Sequence, residues 1–168
     1  MEKKAKQIEK CEEVKQVKLT KEEIIQIANL LRTIKAWFTL SKEGALAFMK
    51  NTISFGKVTK EVDEVIKVYI DAIRTPDFIK ESENVEKLKA KSAEEQTDDD
   101  KNIINVFDEK IKKLDLEIND LKIKLLKESV DIEINYFSFN DLYEIMKQKE
   151  NKDINGYNYE ILYETFIK

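Results

Sequence analysis

Asn151, Asp153 and Asn155 stand at alternate positions, and Gly156 follows directly. Oxygen ligands at loop positions 1, 3 and 5 with glycine at 6 open a calcium-binding loop. Two carboxylates are missing from that pattern. Position 1 is Asn rather than Asp, and position 12 is Leu162, where a bidentate Glu belongs. The stretch therefore reads as an Asn/Asp/Gly turn between helices. Asp98, Asp99 and Asp100 offer three adjacent carboxylates, but they precede a predicted helix, where negative charge complements the helix N-terminus. Neither group is assigned a metal, and no cofactor is expected.

The chain contains no histidine. That removes Ser-His and Cys-His nucleophilic pairs, imidazole metal ligands and the usual neutral-pH general base. Cys11 has Glu12 and Glu13 beside it and no nearby His or Arg, so nothing favours its thiolate. No catalytic residue is assigned, and the chain is read as a non-enzyme.

Aromatic side chains are the remaining candidates. Trp37 and Phe38 follow an amphipathic segment and have the character of partner anchors, with burial at a helix junction as the other reading. Tyr157, Tyr159 and Tyr163 belong to an aromatic C-terminal cluster whose rings pack a small subdomain and whose hydroxyls suit a protein partner. Base stacking by this cluster calls for a basic patch that the sequence lacks, so nucleic acid is not an expected partner.

The elements that carry these residues follow from hydrophobic period. Val58, Val62, Val65, Tyr69 and Ala72 are spaced 4, 3, 4, 3. Phe107, Ile111, Leu114, Ile118, Leu121 and Leu125 continue the same alternation. Heptad seams demand a partner helix, and each segment is the other's match. Residues 58–74 and 101–128 are therefore predicted as the arms of an antiparallel, coiled-coil-like hairpin. The polar run 92–100 between them reads as a flexible acidic linker. Residues 77–91 have room for a short helix around Val85 and Leu88, and Ser54–Lys57 for a bend in the first arm.

Thr20 and Glu23 form a capping box opening a helix with Ile24, Ile27, Leu31, Ile34 and Phe38 on one side. Ser41 caps the next helix. Val130, Ile132, Ile134 and Tyr136 alternate with polar residues, which marks a half-buried strand, and 13–19 is its candidate partner. Ser138 caps a short helix, and Tyr159–Ile167 is the last one. The fold class is mainly α: a helical hairpin, a minor two-stranded β element and a small C-terminal helical subdomain, in a single domain over 1–168 with 1–12 as a frayed tail.

Composition agrees with long helices. Of 168 residues, 38% are charged, with only 3 Gly and 1 Pro to build tight turns. The net charge is −4, and the carboxylates between Glu94 and Asp100 account for it, leaving a near-neutral body with no basic stripe for phosphates. One cysteine precludes an intrachain disulfide and fits a reducing compartment. No run of 18 apolar residues exists, so no membrane span is expected, and the start of the chain lacks the apolar core of a secretory signal.

The order of these elements resembles a family of small helical proteins encoded by phages and prophages of low-GC bacteria. The resemblance rests on Leu19–Glu23, on FTLSKEGALAFMKN (Phe38 to Asn51) and on LKIKLLKESVDIEINYFSFNDLYEIM (Leu121 to Met146), with Ser138, Asp141 and Leu142 in the final capped helix. It covers roughly residues 14 to 148 and implies a viral origin without supplying an activity. The acidic run and the aromatic C-terminus depart from the family pattern. The expected function is protein–protein binding, by a virion or assembly accessory factor or by an inhibitor of host defence, in host cytoplasm or virion. Homo-oligomers fit the same reading. A ligand-sequestering protein or a small carboxylate-dependent enzyme is the alternative.

Overall fold

The computed structural model describes residues 14–35, 37–152 and 154–167. The expected tail 1–12, with Cys11, lies outside the described residues, as does Asp153. The element order is β1 (Val14–Thr20), α1 (Lys21–Thr33), a 3-10 turn (Trp37–Thr39), α2 (Lys42–Ile73), α3 (Pro76–Lys89), α4 (Asp98–Lys127), β2 (Ser129–Asn135), α5 (Phe139–Lys147), a 3-10 turn (Lys149–Asn151) and α6 (Gly156–Phe166). The chain is mainly helical with a two-stranded antiparallel sheet, as its periodicity requires. It divides into two compact units. One comprises the chain up to Thr59 together with Ser129 onward; the other is Lys60–Glu128.

In the first unit, β1 and β2 pair antiparallel with Val17 opposite Ile132 and Leu19 opposite Val130. These residues face the core, while Gln16–Glu133 and Lys18–Asp131 form the other face. The period-2 alternation thus sets the register, because a one-residue slip would move every apolar residue to the polar face. The Thr20–Glu23 capping box starts α1, with Thr20 N–H donating to Glu23 Oε2 at 2.8 Å and Glu23 N–H to Thr20 Oγ1 at 3.2 Å. Helix α1 buries Ile24, Ile27 and Leu31 but stops at Thr33, so Phe38 is not on its apolar face. Helix α2 runs unbroken through Ser54–Lys57, where an interruption was expected. Helix propensity lost at Gly56 is small beside the burial of Phe55.

A ladder of five aromatic rings organises this core. Trp37 stacks on Phe48 (6.0 Å between centroids) and Phe48 on Phe137 (6.3 Å), Phe137 and Phe166 meet tilted (5.1 Å), and Phe166 meets Phe55 edge-on (5.8 Å). The Asn51 amide bonds both backbone groups of Asn135, accepting from its N–H at 2.9 Å and donating to its carbonyl at 2.7 Å. One side chain thereby ties α2 to the end of β2 and leaves no buried polar atom of the pair unpaired.

In the second unit, Phe107, Ile111, Leu114, Ile118, Leu121 and Leu125 of α4 are all half-buried or buried, as the predicted seam requires, with Ile104 and Leu126 half-buried beside them. The opposing seam on α2 is Val62, Ile66, Tyr69 and Ile73, not Val58, Val62, Val65, Tyr69 and Ala72; Val65 and Ala72 are exposed. Two heptad frames overlap on α2, sharing Val62 and Tyr69. Burying Ile66 and Ile73 covers more apolar area than burying Val65 and Ala72. The hydroxyl of Tyr69 reaches Glu117 Oε2 of α4 at 3.3 Å.

The N-terminal half of α4 packs on α3 instead, through Phe78 on Phe107 (5.6 Å) and the Lys89–Asp108 pair (2.7 Å). Pro76 both ends the preceding helical run and opens α3 as its first residue, after the Thr75 cap. The run 92–100 is not a structureless linker: Glu95 and Gln96 N–H donate to Ser92 O, and α4, capped by Thr97, begins at Asp98, three residues before the expected start. Asp100 completes the capping box and pairs with Lys91 Nζ at 2.8 Å, and these bonds hold its carboxyl below the usual range.

Candidate aromatic surface

The segment Ile34–Ser41 carries Trp37 and Phe38 and is fastened at both ends to the α5 region. At its start, the Asn151 side chain accepts from Lys35 N–H (2.7 Å) and donates to Lys35 O (3.1 Å) and Ile145 O (2.9 Å). At its end, Asp141 accepts from Ser41 N–H (2.8 Å) and Ser41 Oγ (3.1 Å). Between them, Gln148 Nε2 donates to Thr39 Oγ1 at 3.3 Å.

Asp141 serves two helices at once. Besides Ser41, which caps α2 by accepting from Gly44 N–H at 3.0 Å, it accepts from Ser138 Oγ at 2.6 Å and completes the α5 capping box. Burial pushes its carboxyl up, but the bonds from Ser138 and Ser41 outweigh burial and hold it below its ordinary value. Gly44 is required beside it. A Cβ there would stand 2.5 Å from Asp141 Cγ and 2.6 Å from each carboxylate oxygen.

On this fixed frame, Trp37 is 37% exposed at the outer end of the aromatic ladder, and Phe38 is 74% exposed. Trp37 is thus both a cover for Phe48 and part of the surface. Helix α5 adds a surface stripe: Phe139, Tyr143 and Met146, at i, i+4 and i+7, are each more than half exposed. Its inner face buries Leu142 and Ile145, so α5 is apolar on two sides. Lys147 lies over the Tyr143 ring, 5.7 Å from its centroid.

The C-terminal tyrosines diverge. Tyr159 is half-buried against the core, and burial raises its hydroxyl pKa. Tyr163 is exposed. Tyr157 is exposed on the α1 side, where it lines a cleft of about 450 Å³ with Gln26, Asn29, Thr33, Asn158, Leu30 and Ile161. That cleft has no carboxylate or ammonium in its lining. Its amides can hydrogen-bond a neutral group, but no acid–base pair stands in it.

The expected degenerate calcium loop has its described asparagines otherwise engaged. Asn151 holds backbone groups of Lys35 and Ile145, and Asn155 caps α6 by accepting from Asn158 N–H at 2.9 Å. Among the described residues, no helix is long and apolar enough to cross a membrane. Comparison with protein-family models, with curated proteins and with solved structures finds no match to this chain.

Proposed function

We propose that the protein works by binding another protein, without catalysis, through the aromatic surface formed by Trp37, Phe38 and the outer face of α5. The observation that carries this reading is Phe38. It is a large apolar side chain held out from a segment whose two ends are fixed by Asn151 and Asp141. Anchoring the backbone lowers the entropy lost on docking, and large side chains held this way suit hot spots. The partner it fits presents an apolar pocket for Phe38 beside a surface that accepts the α5 stripe. On the resemblance noted above, that partner is a phage structural protein or a host defence protein, met in the host cytoplasm or the virion.

The test is affinity capture from infected cells with the wild-type chain and a Phe38→Ser/Phe139→Ser/Tyr143→Ser variant, each checked for an unchanged melting curve. A protein captured by the wild type and lost by the variant supports the reading. Identical capture by both refutes it.

A further inference from the structure

Among the described residues, strand β1 is paired on one side only. Which of its backbone groups face outward follows from β2. The Asn51 side chain accepts from Asn135 N–H and donates to Asn135 O, so both of those groups point away from β1. Backbone direction alternates along a strand, and residues opposite one another in an antiparallel pair point together or apart. Asn135, Glu133 and Asp131 therefore point away from β1, and their partners Val14, Gln16 and Lys18 point away from β2. Thr20 fits the same phase, since its N–H turns to Glu23 Oε2 and not to β2. The ladder to β2 runs through Lys15, Val17 and Leu19. Among the described residues, nothing bonds the N–H and C=O groups of Val14, Gln16 and Lys18.

We propose that this free edge binds an extended segment of a partner protein, antiparallel, in which acidic residues alternate with apolar ones. The outward N–H and C=O groups supply the backbone bonds of an added strand. The side chains set its sequence, and β2 shows the kind of strand that β1 accepts. Asp131 stands opposite Lys18 and Glu133 opposite Gln16, with Ile132 and Val130 opposite Val17 and Leu19. On the open side the same β1 residues lack such neighbours. Strand β1 contains two lysines and no acid. Lys15 and Lys18 are exposed and form no ion pair among the described residues, while Val17 and Leu19 are only half-buried. An acid opposite Lys18 and apolar side chains opposite Val17 and Leu19 give each the cross-strand partner it lacks. The same lysines oppose pairing of this edge with β1 of a second copy.

The probe is a peptide with the sequence of β2, SVDIEIN, added to the full chain. Titration calorimetry is expected to show binding. Amide exchange read by NMR is expected to slow at Gln16 and Lys18 while the β1–β2 ladder stays protected. The peptide SVKIKIN is expected to bind several-fold more weakly, because it sets a lysine against Lys18. Methylating the backbone nitrogens of the two acidic residues, which face β1, is expected to weaken binding by about tenfold or more. Methylating those of the two isoleucines, which face away, is expected to spare it. On the protein side, Gln16→Pro removes an outward donor, leaves the ladder to β2 intact and is expected to lose the peptide. Absence of binding at millimolar peptide overturns the proposal, as does equal binding of SVKIKIN or of the peptide methylated on its acidic residues. Faster exchange at Ile132 and Ile134 on adding peptide also overturns it, since the peptide then replaces β2. Slow exchange at Gln16 and Lys18 without peptide overturns it too: in dilute solution the chain itself covers the edge, and at high concentration alone a second copy does.

Discussion

Gly44→Ala and Gly56→Ala place the same methyl group in the same helix and are expected to act with opposite signs. At Gly56 the new Cβ meets only Arg32 Nη2, at 3.9 Å. The substitution then gains the ordinary preference of a helix for Ala over Gly, about 0.5–1 kcal/mol. At Gly44 the Cβ falls 2.5 Å from Asp141 Cγ, a distance at which one group must move. The carboxylate cannot move freely, because Ser41 and Ser138 hold it through bonds of 2.6–3.3 Å. Hydrogen bonds to a charged group contribute about 1.5–3 kcal/mol each. Losing two of them, offset by the helix gain, leaves a net destabilisation of about 2–5 kcal/mol. At about 2–4 °C per kcal/mol, melting of Gly44→Ala should fall by about 4–20 °C. Circular dichroism on the monomeric chain measures both variants. A Gly44→Ala chain that melts at or above the wild type refutes the double-cap reading of Asp141.

The same carboxylate gives a pH dependence with a definite sign. Its folded pKa is depressed, so its contribution is present above the ordinary Asp value near 3.9 and is lost as pH falls through the lower folded value. Melting should therefore drop steeply below about pH 4, and Asp141→Asn, less stable at neutral pH, should show a shallower acid limb. Thermal melts across pH 2–7 read both effects; equal acid limbs contradict the assignment. The observed frame of α2 makes a third prediction. Val62→Asp buries an unpaired carboxylate and should cost several kcal/mol, while Val65→Asp, on the exposed side, should stay within about 0.5 kcal/mol by urea denaturation. Equal costs would restore the frame through Val65 and Ala72.

The α4 seam and the β2 alternation were legible because each is a single unambiguous period. On α2 the period was legible and its phase was not, since Val58-Val62-Val65-Tyr69-Ala72 and Thr59-Val62-Ile66-Tyr69-Ile73 both satisfy heptad spacing. Local caps at Thr20, Ser41 and Ser138 were readable from residues three apart. Thr97–Asp100 carried the same signal, masked by the acidic composition around it. The candidate surface was half legible: Trp37 and Phe38 stand out by type, but the anchors do not. Asp141 reaches back to Ser41 and Asn151 to Lys35, across intervals with no periodic trace. The aromatic ladder likewise joins Trp37, Phe48, Phe55, Phe137 and Phe166, which only the folded chain brings together.

The β1–β2 pairing also imposes an order on synthesis. Strand β1 ends at Thr20 and its only strand partner among the described residues begins at Ser129. At about 5–20 residues per second, a ribosome needs on the order of 5–20 seconds to make the chain between them. During that interval both edges of β1 are unpaired. Lys15 and Lys18 supply the charge that discourages such a strand from joining a stray edge. Meanwhile Lys60–Glu128, a compact unit made of one continuous stretch, is synthesised before β2, and its folding shortens the loop that β1 and β2 must close. The first unit, assembled from both flanks of that stretch, is the part of the chain that must wait.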